Sequence, residues 1–116
     1  MDKEQITTAK ADSRPDISVI TLRGFIDLTT ADEVASMLDT LIKAKRLNIV
    51  FDLSQSDYVS SSIWGIFLQK IKKIRELEGD LKLAQMKPDV REVYKVLELF
   101  RVIKSFVSLE EAFADF

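Results

Sequence analysis

Three consecutive serines, Ser60 to Ser62, stand where an apolar, strand-like stretch passes through a short polar turn into an amphipathic helix. The first backbone N–H groups of a helix have no partner inside it, and serine hydroxyls can accept hydrogen bonds from them. The same helix end carries the positive pole of the helix dipole, so it tolerates an added anion. These serines are therefore either plain caps or caps that a kinase converts to phosphoserine. The end of a central strand is also where α/β sheets usually expose their sites.

Composition removes most catalytic alternatives. The chain has no cysteine and no histidine, which excludes disulfides, thiolate catalysis, cysteine-based metal sites and the commonest general base. A nucleophilic serine is excluded as well, because there is no Gly-x-Ser-x-Gly elbow and no histidine to activate the hydroxyl. An enzyme built on this chain would have to work with Asp, Glu, Lys, Ser and Tyr.

Two aspartates follow strand-like stretches and are further candidates. Asp52, near the end of a central strand, could accept a phosphoryl group, as in response-regulator receiver domains. Those domains also need an acidic pair after the first strand, where only Asp27 stands, and a lysine after a later strand. The sequence offers Lys82, inside a strand, and Lys87. The alternative is that Asp52 caps the turn that carries the serines and that Asp27 binds nearby backbone N–H groups.

Trp64 follows the serines by one helical turn. If its indole points outward it is an anchor for a partner, and if it points inward it belongs to the core. We expect partial exposure. The nearby cations Lys70, Lys72, Lys73 and Arg75 are expected to form a solvated helix face.

The length is that of one globular domain spanning residues 1–116. The net charge of −2 gives no general attraction to nucleic acid or to anionic membranes. No apolar run approaches the roughly 20 residues of a membrane span, and Met1 to Gln5 lacks the basic start of a signal peptide. We therefore expect a cytoplasmic protein that uses no metal and no cofactor.

Strand and helix patterns alternate, which predicts an α/β layered domain whose later strands are largely parallel. Residues 1–11 are expected to form a short edge strand or a loose arm, and residues 25–28 a short extended or turning link. Strands are predicted at residues 17–22, 47–53, 81–86 and 102–106. Helices are predicted from a Thr29–Thr30 cap to about residue 45, and over residues 63–77, 88–97 and 109–113, the last opened by a Ser108–Glu111 capping box. The third helix has an apolar stripe of Val90, Val93, Tyr94 and Leu97.

At these residues the sequence resembles the STAS domain family, specifically the small stand-alone anti-sigma factor antagonists of bacteria. The resemblance covers nearly the whole chain, and it rests on the order and spacing of several motifs. These are Val19–Asp27, a strand running into Gly-x-Leu/Ile-Asp; Thr30-Ala31 at the first helix; Ile49–Ser54, a strand ending Asp-Leu-Ser; Tyr58–Gly65, on the phosphorylation motif; and the tail from Leu97 to Ala112.

The resemblance aligns Ser61 with the serine that is phosphorylated in the family. Ser62 and Ser60 are the next candidates for phosphorylation. Ser60 takes the place of a common Asp, while Ile63 and Trp64 take the places of Gly and Leu. The first departure removes a negative group beside the hydroxyl, and the second changes the surface that a partner would contact. The partner-binding residues that the resemblance implies are Asp27, Thr29, Ser54, Ser60, Ser62 and Trp64.

The resemblance further implies a mixed sheet of about four to five strands flanked by about four helices. It implies no catalysis by this chain. The expected partners are an anti-sigma factor that is also a serine kinase, and a serine phosphatase, with the chain itself a monomer or a weak homodimer. The alternative is an unphosphorylated STAS scaffold or accessory subunit of a signalling or transport complex, in which the serines are only caps.

Overall fold

The computed structural model describes residues 4–116, so the first three residues of the predicted edge strand or arm lie outside it. The strands are β1 (Ile6–Lys10), β2 (Ile17–Leu22), β3 (Gly24–Ile26), β4 (Asn48–Asp52), β5 (Ser56–Val59), β6 (Asp80–Ala84) and β7 (Ser105–Phe106). The helices are α1 (Leu28–Lys43), α2 (Ser61–Glu76), α3 (Pro88–Val96) and α4 (Leu109–Ala114), with a 3₁₀ turn over Leu99–Arg101.

A five-stranded mixed sheet has the order β1-β2-β4-β6-β7. β1 is antiparallel to β2, whereas the neighbours β2·β4, β4·β6 and β6·β7 are parallel. The central strand β4 buries Ile49, Val50 and Phe51 completely, as expected of a strand covered on both faces. The mixed sheet with its four helices confirms the predicted α/β fold.

The two sheet faces are covered unequally. On one face, strand side chains such as Phe51 pack against α1 and α2, and the rings of Phe51 and Phe67 lie 4.4 Å apart. The other face buries Ile17, Val50 and Ala84 under the short helix α4. The larger part of the core therefore lies under α1 and α2, which makes these helices the rigid support for whatever their N-termini carry. Across residues 4–116, none of the helices is long and apolar enough to span a lipid bilayer.

Helix α4 is held by a buried charge as well as by apolar packing. Lys82, on β6, is only 2% exposed. Its ammonium group donates to the Asp115 carboxylate at 2.6 Å and lies 4.6 Å from the centre of the Phe116 ring. Lys104 also donates to Asp115, at 3.2 Å. The chain end is thus tied to the sheet by a charge-assisted contact.

Two segments predicted as connections are strands. The link at residues 25–28 and the polar turn after β4 contribute β3 and β5, which pair in parallel as a separate two-stranded sheet. The prediction of a turn at residues 56–59 is wrong, and of the two alternatives for residues 25–28 the extended one agrees with β3. Neither strand was predicted as such, because each is three or four residues long and is stabilised by a partner more than thirty residues away. The last strand is also shorter than predicted, since the 3₁₀ turn at Leu99–Arg101 occupies the chain just before it.

Helix starts and apolar stripes differ in two further places. α1 begins at Leu28 with Asp27 as its cap, so the predicted Thr29–Thr30 cap is wrong. In α3, Val90 and Tyr94 are buried as the stripe requires, but Val93 and Leu97 are exposed. The cause is that β5 and the 3₁₀ turn pack only one edge of this helix.

Candidate phosphorylation and docking site

The small sheet of β3 and β5 brings the two candidate segments together. Phe25 pairs with Tyr58 and Ile26 with Val59, and the Ser60 N–H donates to the Ile26 carbonyl at 2.9 Å. α1 starts directly after β3, and α2 starts directly after β5. The N-termini of these two helices therefore lie side by side, with Asp27 next to the serine run.

The three serines occupy different environments. Ser61 is the first residue of α2 and is exposed, whereas Ser60 and Ser62 are half-buried. Ser60 is the N-cap residue with extended backbone, yet its hydroxyl makes no capping hydrogen bond and is buried without a partner among residues 4–116. The first turn of α2 holds no acidic residue. Ser61 is thus the hydroxyl that an enzyme can reach, at a helix end whose dipole favours negative charge.

Asp27 has a defined structural role at this site. Its carboxylate accepts hydrogen bonds from the Thr29 hydroxyl at 2.6 Å and from the Thr29 backbone N–H at 3.0 Å. These two donors, the hydroxyl first, hold the pKa of Asp27 below its ordinary value. Asp27 and Thr29 together form the N-terminal cap of α1 and place a fixed negative charge next to the start of α2.

Asp52 and Ser54 belong to another part of the molecule. Asp52 accepts from the Ser54 backbone N–H at 3.0 Å and from the Gln85 side chain at 2.9 Å, so it caps the turn after β4. Ser54 precedes β5 while Ser60 follows it, and the four-residue strand between them spans roughly 13 Å. The structure therefore does not bring Ser54 together with the serine run. The two lysines considered for a receiver domain are engaged elsewhere, Lys82 with Asp115 and Lys87 with Asp57.

The predicted partial exposure of Trp64 is wrong. Its side chain is 2% exposed, and its ring packs edge-on against Phe67 and tilted against Tyr94, at centroid distances of 5.8 and 6.4 Å. Trp64 and Phe67 share one face of α2 with Ile71 and Ile74, and that face is the one against the sheet. The indole N–H is buried and has no hydrogen-bond partner in the described part of the chain, residues 4–116. A partner could contact this ring only at the edge of the hollow that it lines.

Sequence reasoning missed an apolar surface next to the serines. Phe25, Leu28 and Tyr58 are 66%, 72% and 46% exposed, and the Phe25 and Tyr58 rings lie 6.0 Å apart. The signal was the alternation in β3 and β5, where the next residues, Ile26 and Val59, are buried. Phe25, Leu28 and Tyr58 are hereafter called the aromatic patch. Exposed apolar groups gathered in this way are typical of protein-binding surfaces.

Comparison with known proteins identifies what this arrangement resembles. A sequence model described as the STAS domain matches residues 8–112. A Bordetella bronchiseptica protein named as a candidate anti-sigma factor antagonist, BtrV, is 30% identical over 95 residues, which cover 82% of each chain. The structure of a candidate anti-sigma factor antagonist from Thermotoga maritima matches with a TM-score of 0.85 at 18% identity, covering 95% of this chain and 92% of that one. The Bacillus protein SpoIIAA in its phosphorylated form matches with a TM-score of 0.73 at 19% identity, covering 95% and 97%. The two structural matches show a shared fold.

Proposed function

Because the chain belongs to the STAS domain family, we propose that it is an anti-sigma factor antagonist switched by phosphorylation of Ser61. In its unphosphorylated form the protein binds an anti-sigma factor that is also a serine kinase, and this binding releases a sigma factor. The kinase transfers a phosphoryl group from its own ATP to the Ser61 hydroxyl, and binding is then lost. A serine phosphatase restores the neutral hydroxyl.

The observation that carries this proposal is the exposed Ser61 hydroxyl at the start of α2. Around it stand the other proposed contact residues, Asp27, Thr29, Ser60 and Ser62, together with the aromatic patch. An exposed hydroxyl at the border of an apolar surface suits a contact that excludes water, since the hydroxyl is neutral and small. A partner contacts Ser54 only if it also extends along β5. Trp64 is buried below this surface and contributes to it by packing.

Electrostatics explain how one phosphate would end such a contact. Phosphorylation adds a charge of about −1.5 to −2 to a surface that becomes desolvated on binding. An unpaired charge in an interface disfavours binding, and a shift of about 3 kcal/mol already lowers the affinity more than a hundredfold. The fold need not change, because free backbone N–H groups and the helix dipole stabilise the anion at the N-terminus of α2. The unphosphorylated and the phosphorylated form of SpoIIAA match this chain with the same TM-score of 0.73, which is consistent with a fold that does not change on phosphorylation.

A phosphorylation assay tests the proposal. Purified protein is incubated with ATP and an ATPase-type serine kinase of the same genome, and the phosphorylated residue is located by mass spectrometry. We expect an acid-stable phosphate on Ser61, none in a Ser61→Ala variant, and unchanged labelling in a Ser36→Ala control at an exposed serine in the middle of α1. Phosphate on Asp52 would contradict the proposal. Tight binding to other subunits without any phosphorylation would instead identify a STAS scaffold.

A further inference from the structure

A groove runs from the aromatic patch to helix α3. It consists of two hollows that share Asp57 and Asp89. The inner hollow, of about 220 Å³, is otherwise walled by Tyr58, Val59, Trp64, Val90 and Val93. The outer hollow, of about 580 Å³, is completed by Phe25, Lys87 and Pro88. These residues are called the α3 groove. Because Phe25 and Tyr58 belong to both the groove and the aromatic patch, the two form one continuous surface that begins near Ser61.

The groove combines apolar walls with unbalanced negative charge. Asp57 is paired with Lys87 at 2.6 Å, but Asp89 makes no ion pair with any residue between 4 and 116. Two carboxylates and one ammonium group leave one negative charge without an ion-pair partner among residues 4–116 at the junction of the hollows. Valine and aromatic side chains form most of the inner wall, where Val93 is 39% exposed. A complementary occupant therefore needs an apolar stem and a cationic end.

The size of the inner hollow favours a side chain over a separate small molecule. Pockets for drug-sized ligands begin at roughly 300 Å³, and this hollow is smaller. An arginine or lysine fits the chemistry, since its methylene groups pack on valine and its charged end reaches a carboxylate. In an interface, the buried apolar contact supplies affinity and the charge pair at the rim supplies specificity.

We infer that the α3 groove is a second docking site for the anti-sigma factor, and that it receives a basic side chain flanked by an apolar residue. This inference rests on the proposed function, and it assigns partner specificity to the groove and switching to Ser61. Trp64 forms part of the inner wall of the groove.

A matched pair of substitutions on α3 tests the inference. Val93→Arg places bulk and positive charge inside the groove, whereas Val96→Arg makes the same change one turn further along the helix, at a side chain that is 70% exposed and outside the groove. We expect Val93→Arg to weaken binding of the unphosphorylated protein to the kinase by about tenfold or more, and Val96→Arg by less than about twofold. Titration calorimetry measures both affinities.

Charge reversal at the junction of the two hollows provides a second test. Asp89 is exposed, so Asp89→Lys should fold; it should weaken binding by about tenfold and reduce the salt dependence of the affinity. Changing the partner's arginines and lysines one at a time to glutamate should identify one position that restores binding to Asp89→Lys. A double-mutant cycle then measures the coupling between the two side chains.

The outcomes separate the groove from the switch. If wild-type protein binds the kinase and is phosphorylated on Ser61, but Val93→Arg and Asp89→Lys bind equally well, the groove inference is overturned and the proposed function stands. If wild-type protein neither binds nor is phosphorylated, the groove inference and the proposed function both fail.

Trp64 is the only tryptophan of the chain, so 5-fluorotryptophan labelling gives a single ¹⁹F resonance from the groove wall. Kinase binding should shift that resonance, and an unchanged resonance in the saturated complex would argue against occupation of the groove.

Discussion

Ser61 stands in the first turn of α2, where backbone N–H groups lack partners within the helix and the serine side chain faces solvent. Its neighbours Ser60 and Ser62 are partly buried, so three chemically identical hydroxyls differ in what can reach them. The difference follows from helix geometry, since consecutive residues at a helix start point in directions about 100° apart. Position in the first turn, rather than residue type, therefore selects one serine from the run.

Substitutions at Ser61 isolate the effect of charge from the effect of the hydroxyl. Ser61→Ala should fold, escape phosphorylation and keep its affinity for the kinase, because only a small neutral group is removed. Ser61→Asp should also fold, because an acidic residue is favourable at a helix N-terminus, but should bind at least about tenfold more weakly. Binding assays with purified components measure both. If Ser61→Asp bound as tightly as the wild-type protein, the electrostatic explanation of the switch would be wrong.

Helix and strand elements were predictable from the sequence where their signals are local. β2, β4 and β6 consist of apolar, β-branched or alternating residues. α3 begins at a proline, and α4 begins directly after its cap residue Ser108, whose hydroxyl accepts from the Glu111 N–H. The pairing of β3 with β5 was not predictable in this way, because neither strand has a sufficient pattern without the other. For the same reason the sequence could indicate the serine run as a candidate site, but it could not predict that the chain next to Asp27 pairs with it through the Ser60 N–H and the Ile26 carbonyl.

The inward orientation of Trp64 was within reach of the sequence. Trp64, Phe67, Ile71 and Ile74 recur at helical spacing, which is typical of a buried face. Partial exposure of Trp64 was expected from its position near the serines, whereas this periodicity indicates burial. Val93 in α3 is the opposite case, because it belongs to an apolar stripe but is exposed. Among residues 4–116, no helix or strand covers that edge of α3.

Two glycines in different elements should respond oppositely to alanine. At Gly79, just before β6, an added Cβ would overlap the carbonyl oxygen and Cβ of Leu47, so Gly79→Ala should lower the free energy of unfolding. At Gly65, inside α2, the added Cβ would have no atom of residues 4–116 within 4 Å apart from its chain neighbours and the adjacent backbone of the same helix. Gly65→Ala should raise the free energy of unfolding by about 0.5–1 kcal/mol through the higher helix propensity of alanine. Urea denaturation measures both changes, and destabilisation by Gly65→Ala would show that the position is more crowded than the structure indicates.

The attachment of α4 should depend more on Asp115 than on the ammonium group it binds. Asp115→Ala removes the closest carboxylate and leaves the buried Lys82 with the backbone carbonyl of residue 115 at 3.2 Å and a 3.5 Å contact to Asp80, whereas Lys82→Met removes the buried charge and keeps an apolar side chain of similar length. An uncompensated buried charge is more costly than a buried pair replaced by apolar atoms. Asp115→Ala should therefore lower the melting temperature more than Lys82→Met does. The reverse order, measured by circular dichroism, would mean that the ion pair itself holds the helix.

At the scale of the whole molecule, three carboxylates at separate places have pKa values below their ordinary range. The causes are the hydrogen bond from Arg14 at Asp16, the Thr29 hydroxyl and N–H at Asp27, and Lys82 followed by Lys104 at Asp115. These groups tie the loop before β2, the start of α1 and the end of α4 to their surroundings. The chain also has no histidine, the side chain whose ordinary pKa lies closest to neutral pH.

These features determine the sign of the pH dependence of stability. A carboxylate whose folded pKa lies below its unfolded value, about 3.9 for Asp, stabilises the fold fully above that unfolded value. The contribution is lost as the pH falls through the folded pKa. The free energy of unfolding should therefore change little between about pH 5 and 7 and should decrease below about pH 4, as denaturant titrations at each pH would show. Asp27→Asn keeps a capping acceptor without a titrating group, so its curve should be flatter in acid than that of the wild-type protein. If the free energy of unfolding of the variant decreased as steeply in acid as that of the wild-type protein, Asp27 would not contribute to the acid sensitivity, which would then come from Asp16 and Asp115.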